Sequence, residues 1–329
     1  MTQLAPHLTA FLREHLPRDR RASVHTCEAY AYSFQLLVTF AAKRLRKRPC
    51  LLQIEDLDVA MILAFLQHVE EVRGNKARSR NARLAAVKSF FRYLEHRLPA
   101  ALGQALRVHA IPTKKIDQAL IASLSRPEVQ ALLDAPDRRT VSGVRDRAML
   151  HLAFSGGLRV SELVGLALDQ FDGRAPASIH VMGKGRRERV LPLWQDTAAA
   201  IRAWIAVRPK NGDVALFLNN AGRAMTRAGF EYILAKHTSA ASAVVPSLAT
   251  KQMSPHVLRH SCAMHMLQAT RDIRKVALWL GHASLQSTEI YLRADPLEKL
   301  EMLGALAPLG IKPGKFRPPD RLIAMLSPE

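Results

Sequence analysis

The segment SPHVLRHSCAMHMLQATRDIRKVALWLGHASLQSTEIY, residues 254–291, concentrates side chains that can act on a phosphate. It places His256 three residues before Arg259, His282 directly after Leu280-Gly281, and Tyr291 nine residues beyond His282. Ser254-Pro255 is a helix-start signal, with Ser as N-cap and Pro at the first helical position. His256 and Arg259 then lie on one face near the opening of that helix. A helix N-terminus carrying an imidazole and a guanidinium seats a phosphate well. A tyrosine brought beside that seat can attack phosphorus, because phenol hydroxyls form covalent intermediates.

A second group lies upstream. Gly156-Gly157-Leu158-Arg159-Val160-Ser161-Glu162-Leu163 runs from two glycines through an arginine into a helix-like pattern. Ile179–Met182 and Glu188–Leu193 are short, β-branched and alternating, and they flank Gly183-Lys184-Gly185. That pattern predicts a β-hairpin with Lys184 at or near its tip, where a lysine can reach a leaving group. Two arginines, a lysine, two histidines and a tyrosine are the parts a metal-free phosphodiester transfer needs.

The pieces SGGLRVSEL, VMGKGRRERVLPL, SPHVLRHSCAMHML and LGHASLQSTEIY resemble, in content and order, the tyrosine recombinase family of phage-integrase and Xer-type site-specific recombinases. A lone GKG hairpin or HxLRH occurs by chance; the ordered set is specific. The resemblance implies that Arg159 and Arg259 hold the non-bridging phosphate oxygens and that Lys184 protonates the 5′-oxygen leaving group. It makes His256 a phosphate ligand and the acceptor of the Tyr291 proton, His282 a hydrogen-bond donor to the phosphate, and Tyr291 the nucleophile of a 3′-phosphotyrosyl intermediate. Glu162 would orient Arg159 or its neighbours. No cofactor, metal or ATP is implied, since the ester bond stores the energy of the cleaved one. The implied partners are double-stranded DNA bearing a specific site, further copies of the chain in a tetramer, and accessory DNA-bending proteins or a second recombinase.

The elements that must position these residues follow from the rest of the chain. Its 329 residues suffice for two domains, and 48% apolar with 23% charged residues is a globular composition. A net charge of +20 argues for a polyanionic partner, most simply nucleic acid. No apolar run approaches the roughly 20 residues of a membrane span, and Arg13 and Glu14 interrupt any signal-peptide core. Cys27, Cys50 and Cys262 are scattered, which fits a reducing cytoplasm and no disulfide framework. No Cys/His/Asp set has metal-ligand spacing.

The polar stretch RVHAIPTKKIDQA, residues 107–119, lacks periodicity and marks a boundary. Residues 1–110 carry 18 basic against 9 acidic side chains and read as helices throughout. Their apolar positions recur at helical spacing in Ala29, Phe34, Leu37 and Phe40, and again in Leu84, Val87, Phe91 and Leu94. The expected fold is mainly α with a small β-sheet or hairpin. By resemblance it is an all-α SAM-like core-binding domain over 1–110, an α+β catalytic domain over 120–300, and a tail over 301–329. The basic clusters Lys43, Arg44, Arg46, Lys47, Arg48 and Lys76, Arg78, Arg80, Arg83 are expected to meet DNA phosphate. His237 to Thr250 reads as a loop, and His260 and His265 read as packing residues. The tail carries a proline-rich link and then Leu322, Ile323, Met325 and Leu326. These either dock on a neighbouring protomer, as the resemblance implies, or fold back on their own domain.

Taken singly, each site residue has an ordinary reading. Arg159 would be a surface arginine, Lys184 a solvated hairpin lysine, His282 a partner of a helix C-terminus, and Tyr291 a core aromatic between Ile290 and Leu292. Order and spacing favour the chemical reading. A type IB topoisomerase or telomere-resolving enzyme shares this chemistry, and a catalytically silent DNA-binding protein could share the fold. A basic RNA-binding module fits worst, with 6% aromatic residues and no stacking cluster.

Overall fold

The computed structural model describes residues 2–116, 122–174, 177–183, 188–282 and 284–294, and it divides into two compact units, Met1–Gln118 and Ala119–Glu329. Lys184 and the tail over 301–329 lie outside the described residues.

The regular elements among the described residues of the first unit are all helices, with one isolated β-bridge between Gln3 and Gln53. Helix α1 (Leu4–Ala10) continues as wider π-type turns over Phe11–Asp19. Then come α2 (Val24–Leu45), α3 (Val59–Glu71), α4 (Ala77–Glu95) and α5 (Leu102–His109). The chain starts α2 at Ser23, whose hydroxyl accepts from the Thr26 amide at 3.3 Å, and α3 at Asp58, whose carboxylate accepts from the Met61 amide at 2.7 Å. Phe11, Phe34 and Phe90 meet edge-on at the centre of the core, with Leu37, Ile62, Leu84 and Phe91 buried around them.

The second unit is α+β. Its elements are α6 (Arg126–Asp134), α7 (Val141–Ser155), α8 (Val160–Val164), β1 (Phe171–Asp172), β2 (Ser178–Met182), β3 (Glu188–Pro192), α9 (Gln195–Val207), α10 (Arg227–Ser242), α11 (Pro255–Thr270), α12 (Ile273–Leu280) and α13 (Glu289–Ala294). The strands form one antiparallel sheet in the order β1-β2-β3. In the β2–β3 ladder Ile179 faces Leu191 and Val181 faces Arg189. Ile179, Val181 and Leu191 are buried, so this is the inner face and Arg189 lies on it. Helix α7 is buried along most of its length and packs against α9 and α11. It forms the spine against which the site residues are arranged.

The stretch from His237 is not a loop at its start. Helix α10 runs on to Ser242, and His237 is buried there with its Nε2 2.9 Å from the Asp146 carboxylate. Residues Pro246–Thr250 form a short 3₁₀ turn, tied to α6 by Ser247 donating to Glu128 at 2.6 Å and by the Lys251 ammonium at 2.7 Å from the same carboxylate. Buried hydrogen-bonding groups thus order a segment whose composition alone looks unstructured.

Candidate active site

Four backbone features bring the distant residues together. Helix α7 ends at Gly156, and Gly157 turns the chain with φ +55°. A Cβ there would lie 2.6 Å from the Leu280 side chain, so glycine is required both by backbone angle and by the approach of α12. The turn leaves Arg159 as N-cap of α8, where its amide donates to Glu162 Oε2 at 2.9 Å. Helix α11 opens on Ser254 and Pro255, so His256 stands exposed on its first turn and Arg259 points inward one turn on. Helix α12 closes on Gly281 in the left-handed region, φ +64°, which releases His282 from the helix.

Glu162 is the electrostatic pivot, with its side chain 4% exposed. Its Oε1 accepts from Arg159 Nη1 at 2.8 Å, and its Oε2 accepts from Arg189 Nη2 at 2.8 Å. Arg259 Nη1 lies 4.0 Å from the same carboxylate. Burial would raise the Glu162 carboxyl, but hydrogen bonds from Arg189 and Arg159 hold it below its ordinary range. Three guanidinium groups therefore surround one carboxylate, leaving a surplus of two positive charges. Arg259 is buried, donates to the carbonyl oxygens of Gly157 and Leu280, the latter at 2.9 Å, and is lowered to about 10 by burial and then by Arg159. Arg159 is the more open of the two expected phosphate binders, at 29%. A fixed cationic cluster of this kind suits an anion carrying paired oxygens.

Tyr291 is 2% exposed, packed in α13 against Ala263, Met264, Leu267, Val276 and Leu280. Its hydroxyl lies 2.9 Å from His260 Nδ1. Burial pushes the phenol up to about 12, against the pull of Arg259 and Arg159. The His282 ring lies parallel to the phenol at 6.5 Å, and its Nδ1 is 2.7 Å from the hydroxyl of the fully buried Thr288. Burial and then the three arginines push His282 down to about 4, so it is neutral at pH 7.

Of the residues expected from sequence, Arg159, Glu162, Arg259, His282 and Tyr291 converge here. His256 lies on the same helix, its ring 6.4 Å from that of His260. The imidazole on the phenol hydroxyl is His260, which the sequence reading set aside as packing. His265 does pack, edge-on against Phe154, with its Nε2 2.8 Å from the Leu124 carbonyl oxygen.

The profile of the phage integrase family matches residues 122–298, and the profile of the N-terminal SAM-like domain of phage integrases matches residues 8–97. The chain belongs to the tyrosine recombinases of the phage integrase family. Over 325 residues it is 44% identical to the putative integrase/recombinase y4rC of Sinorhizobium fredii (strain NBRC 101917 / NGR234), covering 98% of each chain. It is 34% identical over 301 residues to tyrosine recombinase XerC of Myxococcus xanthus, covering 88% of this chain and 94% of that one. The fold is shared with the XerH site-specific recombinase bound to a palindromic difH substrate, at TM-score 0.67 and 22% identity over 90% of this chain and 83% of the other. It is shared also with a lambda integrase dimer bound to a COC′ core site, at TM-score 0.61 and 16% identity over 96% and 80%. The chain is a site-specific DNA recombinase.

Arg189, a position the sequence reading passed over, joins this cluster through Glu162. Its signal was strand phase: Arg189 shares the inner face with Leu191, while Val190 points outward and is exposed. Its Nε is buried with no hydrogen-bond partner among the described residues, and a Cβ on Gly281 would lie 3.0 Å from its guanidinium.

In the SAM-like unit Lys43, Arg44, Arg46, Lys47, Arg48, Lys76 and Arg78 are exposed, with Lys47 paired to Asp56 at 2.8 Å. Arg83 is half-buried, stacked 4.8 Å over the Tyr32 ring and donating to Ser33 at 2.9 Å. Arg80 requires a correction. It is 5% exposed and donates to the Pro112 carbonyl at 3.0 Å, so it braces the segment after α5 rather than facing a duplex.

Proposed function

We propose that Tyr291 is the nucleophile of this recombinase and that Arg159, Arg259, His256 and His282 bind the scissile phosphate of a duplex carrying a specific site. The reading is supported most by the cluster of Arg159, Arg189 and Arg259 around Glu162, a cationic seat set next to the Tyr291 phenol. Tyr291 Oη forms a bond to phosphorus as the bond to the 5′-oxygen breaks, giving a 3′-phosphotyrosyl ester, and the phenol proton passes to His256. Lys184 supplies a proton to the leaving 5′-oxygen, which departs as a hydroxyl. A 5′-hydroxyl from a partner duplex then reverses the step, so bond energy is conserved and neither ATP nor metal enters the scheme. The arginines neutralise the charge that builds on the non-bridging oxygens as phosphorus becomes five-coordinate.

Residues 1–110 serve on this reading as the core-binding domain that clamps DNA, and 120–300 as the catalytic domain. Two duplexes and four protomers make the synaptic complex, with accessory DNA-bending proteins or a second recombinase as further partners. The tail over 301–329 links neighbouring protomers through Leu322, Ile323, Met325 and Leu326. The free cysteines fit a reducing cytoplasm. No helix among the described residues is long and apolar enough to cross a membrane.

A nicked duplex carrying the cognate site, which traps the covalent adduct, tests the assignment. Tyr291→Phe removes one oxygen and should bind DNA normally while forming no adduct. An adduct in that variant would refute the assignment of the nucleophile.

A further inference from the structure

We infer that His260 is the residue that positions the Tyr291 hydroxyl for attack, by accepting its hydrogen bond at Nδ1. The inference rests on the reading of Tyr291 as nucleophile and adds a residue to that site.

The argument starts from geometry. His260 Nδ1 lies 2.9 Å from Tyr291 Oη, an ordinary hydrogen-bond length, and the two rings meet edge-on with centroids 5.6 Å apart. His256, one helical turn earlier, stands exposed on the first turn of α11, free to reach a phosphate. Residues four apart share a helix face, so α11 offers two imidazoles in a row, an outer one for the anion and an inner one for the phenol.

Chemistry fixes the direction of the inner bond. A phenol attacks phosphorus through an oxygen lone pair, so its O–H must point elsewhere. A hydrogen bond donated to His260 Nδ1 does that and stops rotation about the C–O bond. The imidazole must then be neutral with its proton on Nε2. Burial, reinforced by His256 and Arg259, pushes His260 down to about 4, which keeps it neutral at pH 7. The phenol is pushed up to about 12, so it keeps its proton while no phosphate is present. A neutral acceptor against a neutral donor holds the nucleophile in place without ionising it. Losing such a bond costs about 1.4 kcal/mol, equivalent to tenfold in rate if the orientation is needed only for attack.

The two amide replacements separate position from bulk. In His260→Asn the side-chain oxygen falls near the place of Nδ1; in His260→Gln it falls near that of Nε2. Both are polar, neutral and close to histidine in size. Single-turnover adduct formation on the nicked duplex should stay within about threefold of the parent for His260→Asn and fall by about tenfold or more for His260→Gln, with DNA affinity equal in both. Equal rates in the two variants, whether both fast or both slow, would overturn the inference; both slow would point to proton transfer instead. Tyr291→Phe is run alongside. An adduct there would mark failure of the nucleophile reading itself, a result distinct from any ranking of the His260 variants.

Discussion

Replacing Glu162 by Gln tests the electrostatic pivot with the smallest change in shape. The carboxylate takes four hydrogen bonds: Oε1 accepts from Arg159 Nη1 at 2.8 Å and Arg189 Nη1 at 3.4 Å, and Oε2 accepts from the Arg159 amide at 2.9 Å and Arg189 Nη2 at 2.8 Å. Glutamine must put its NH₂ at one of the two oxygen positions. Either choice sets a donor against two donors, so two of the four bonds are lost and the others are no longer ionic. At about 1.5–3 kcal/mol for a bond to a charged group, the loss is about 3–6 kcal/mol. That agrees with the roughly 3–5 kcal/mol for removing one partner of a buried ion pair. In a unit of about 200 residues each kcal/mol moves Tm by about 2–4 °C, so the transition should fall by at least about 6 °C. Arg159 and Arg189 also lose their orientation, so adduct formation should slow by roughly 10²-fold. DNA affinity should not fall, because the site gains positive charge. Differential scanning calorimetry and the nicked-duplex assay read both effects. A Tm within about 2 °C of the parent together with an unchanged cleavage rate would refute the pivot.

Lys184→Ala should be rescued by a substrate whose 5′-bridging oxygen is sulfur, since a thiolate leaves without a proton; failure to rescue would remove Lys184 as the acid. Burial would raise the Glu128 carboxyl, but hydrogen bonds from Lys251, Ser247 and Ser125 lower it to about 2. A lowered folded-state pKa gives stability that is present above the ordinary 4.5 and is lost as pH falls toward 2. Glu128→Gln should therefore flatten the acid limb of the stability curve, and an unchanged slope would contradict this. Arg78→Ala should weaken DNA binding and reduce the salt slope by about one. Arg80→Ala should instead lower the Tm of the SAM-like unit with the salt slope intact; the reverse pattern would show the two roles to be exchanged.

How much of this was legible in the sequence depended on the kind of signal. The residues read as phosphate-binding and nucleophilic carry motifs whose order survives without structure, and the helix start at Ser254-Pro255 was written in cap chemistry. Arg80 and Arg189 were misjudged for one reason: a polar side chain was read by its type and not by its phase. Arg80 falls on the stripe that continues through Leu84, Val87 and Phe91, so helical spacing already pointed it inward. Arg189 alternates in step with Leu191, and His260 follows His256 by one turn. For the two arginines the charge suggested solvent, while the period placed them against the core; His260 was read as packing, and its contact with the Tyr291 hydroxyl was not visible in the sequence. The ordering of His237–Thr250 could not be read, because its partners Asp146 and Glu128 lie more than ninety residues upstream.

The same burial that hid these residues sets the resting state of the site. Without an anion, burial and then the surplus of guanidinium charge hold His282 neutral, and desolvation outweighs that charge at Tyr291, leaving the phenol at about 12. A phosphodiester bound between Arg159 and Arg259 would offset the surplus and remove the repulsion that disfavours a protonated imidazole nearby. The bound anion thereby favours a protonated imidazole beside the phenol at the moment an electrophile is present. Burial keeps the phenol protonated in the free protein, whereas charge compensation on binding acts on the neighbouring imidazole, which becomes a better destination for the proton while the arginine pull on the phenol itself is reduced. Glu162 fixes the balance: it cancels one of three arginine charges, enough to hold the cluster together and too little to neutralise it.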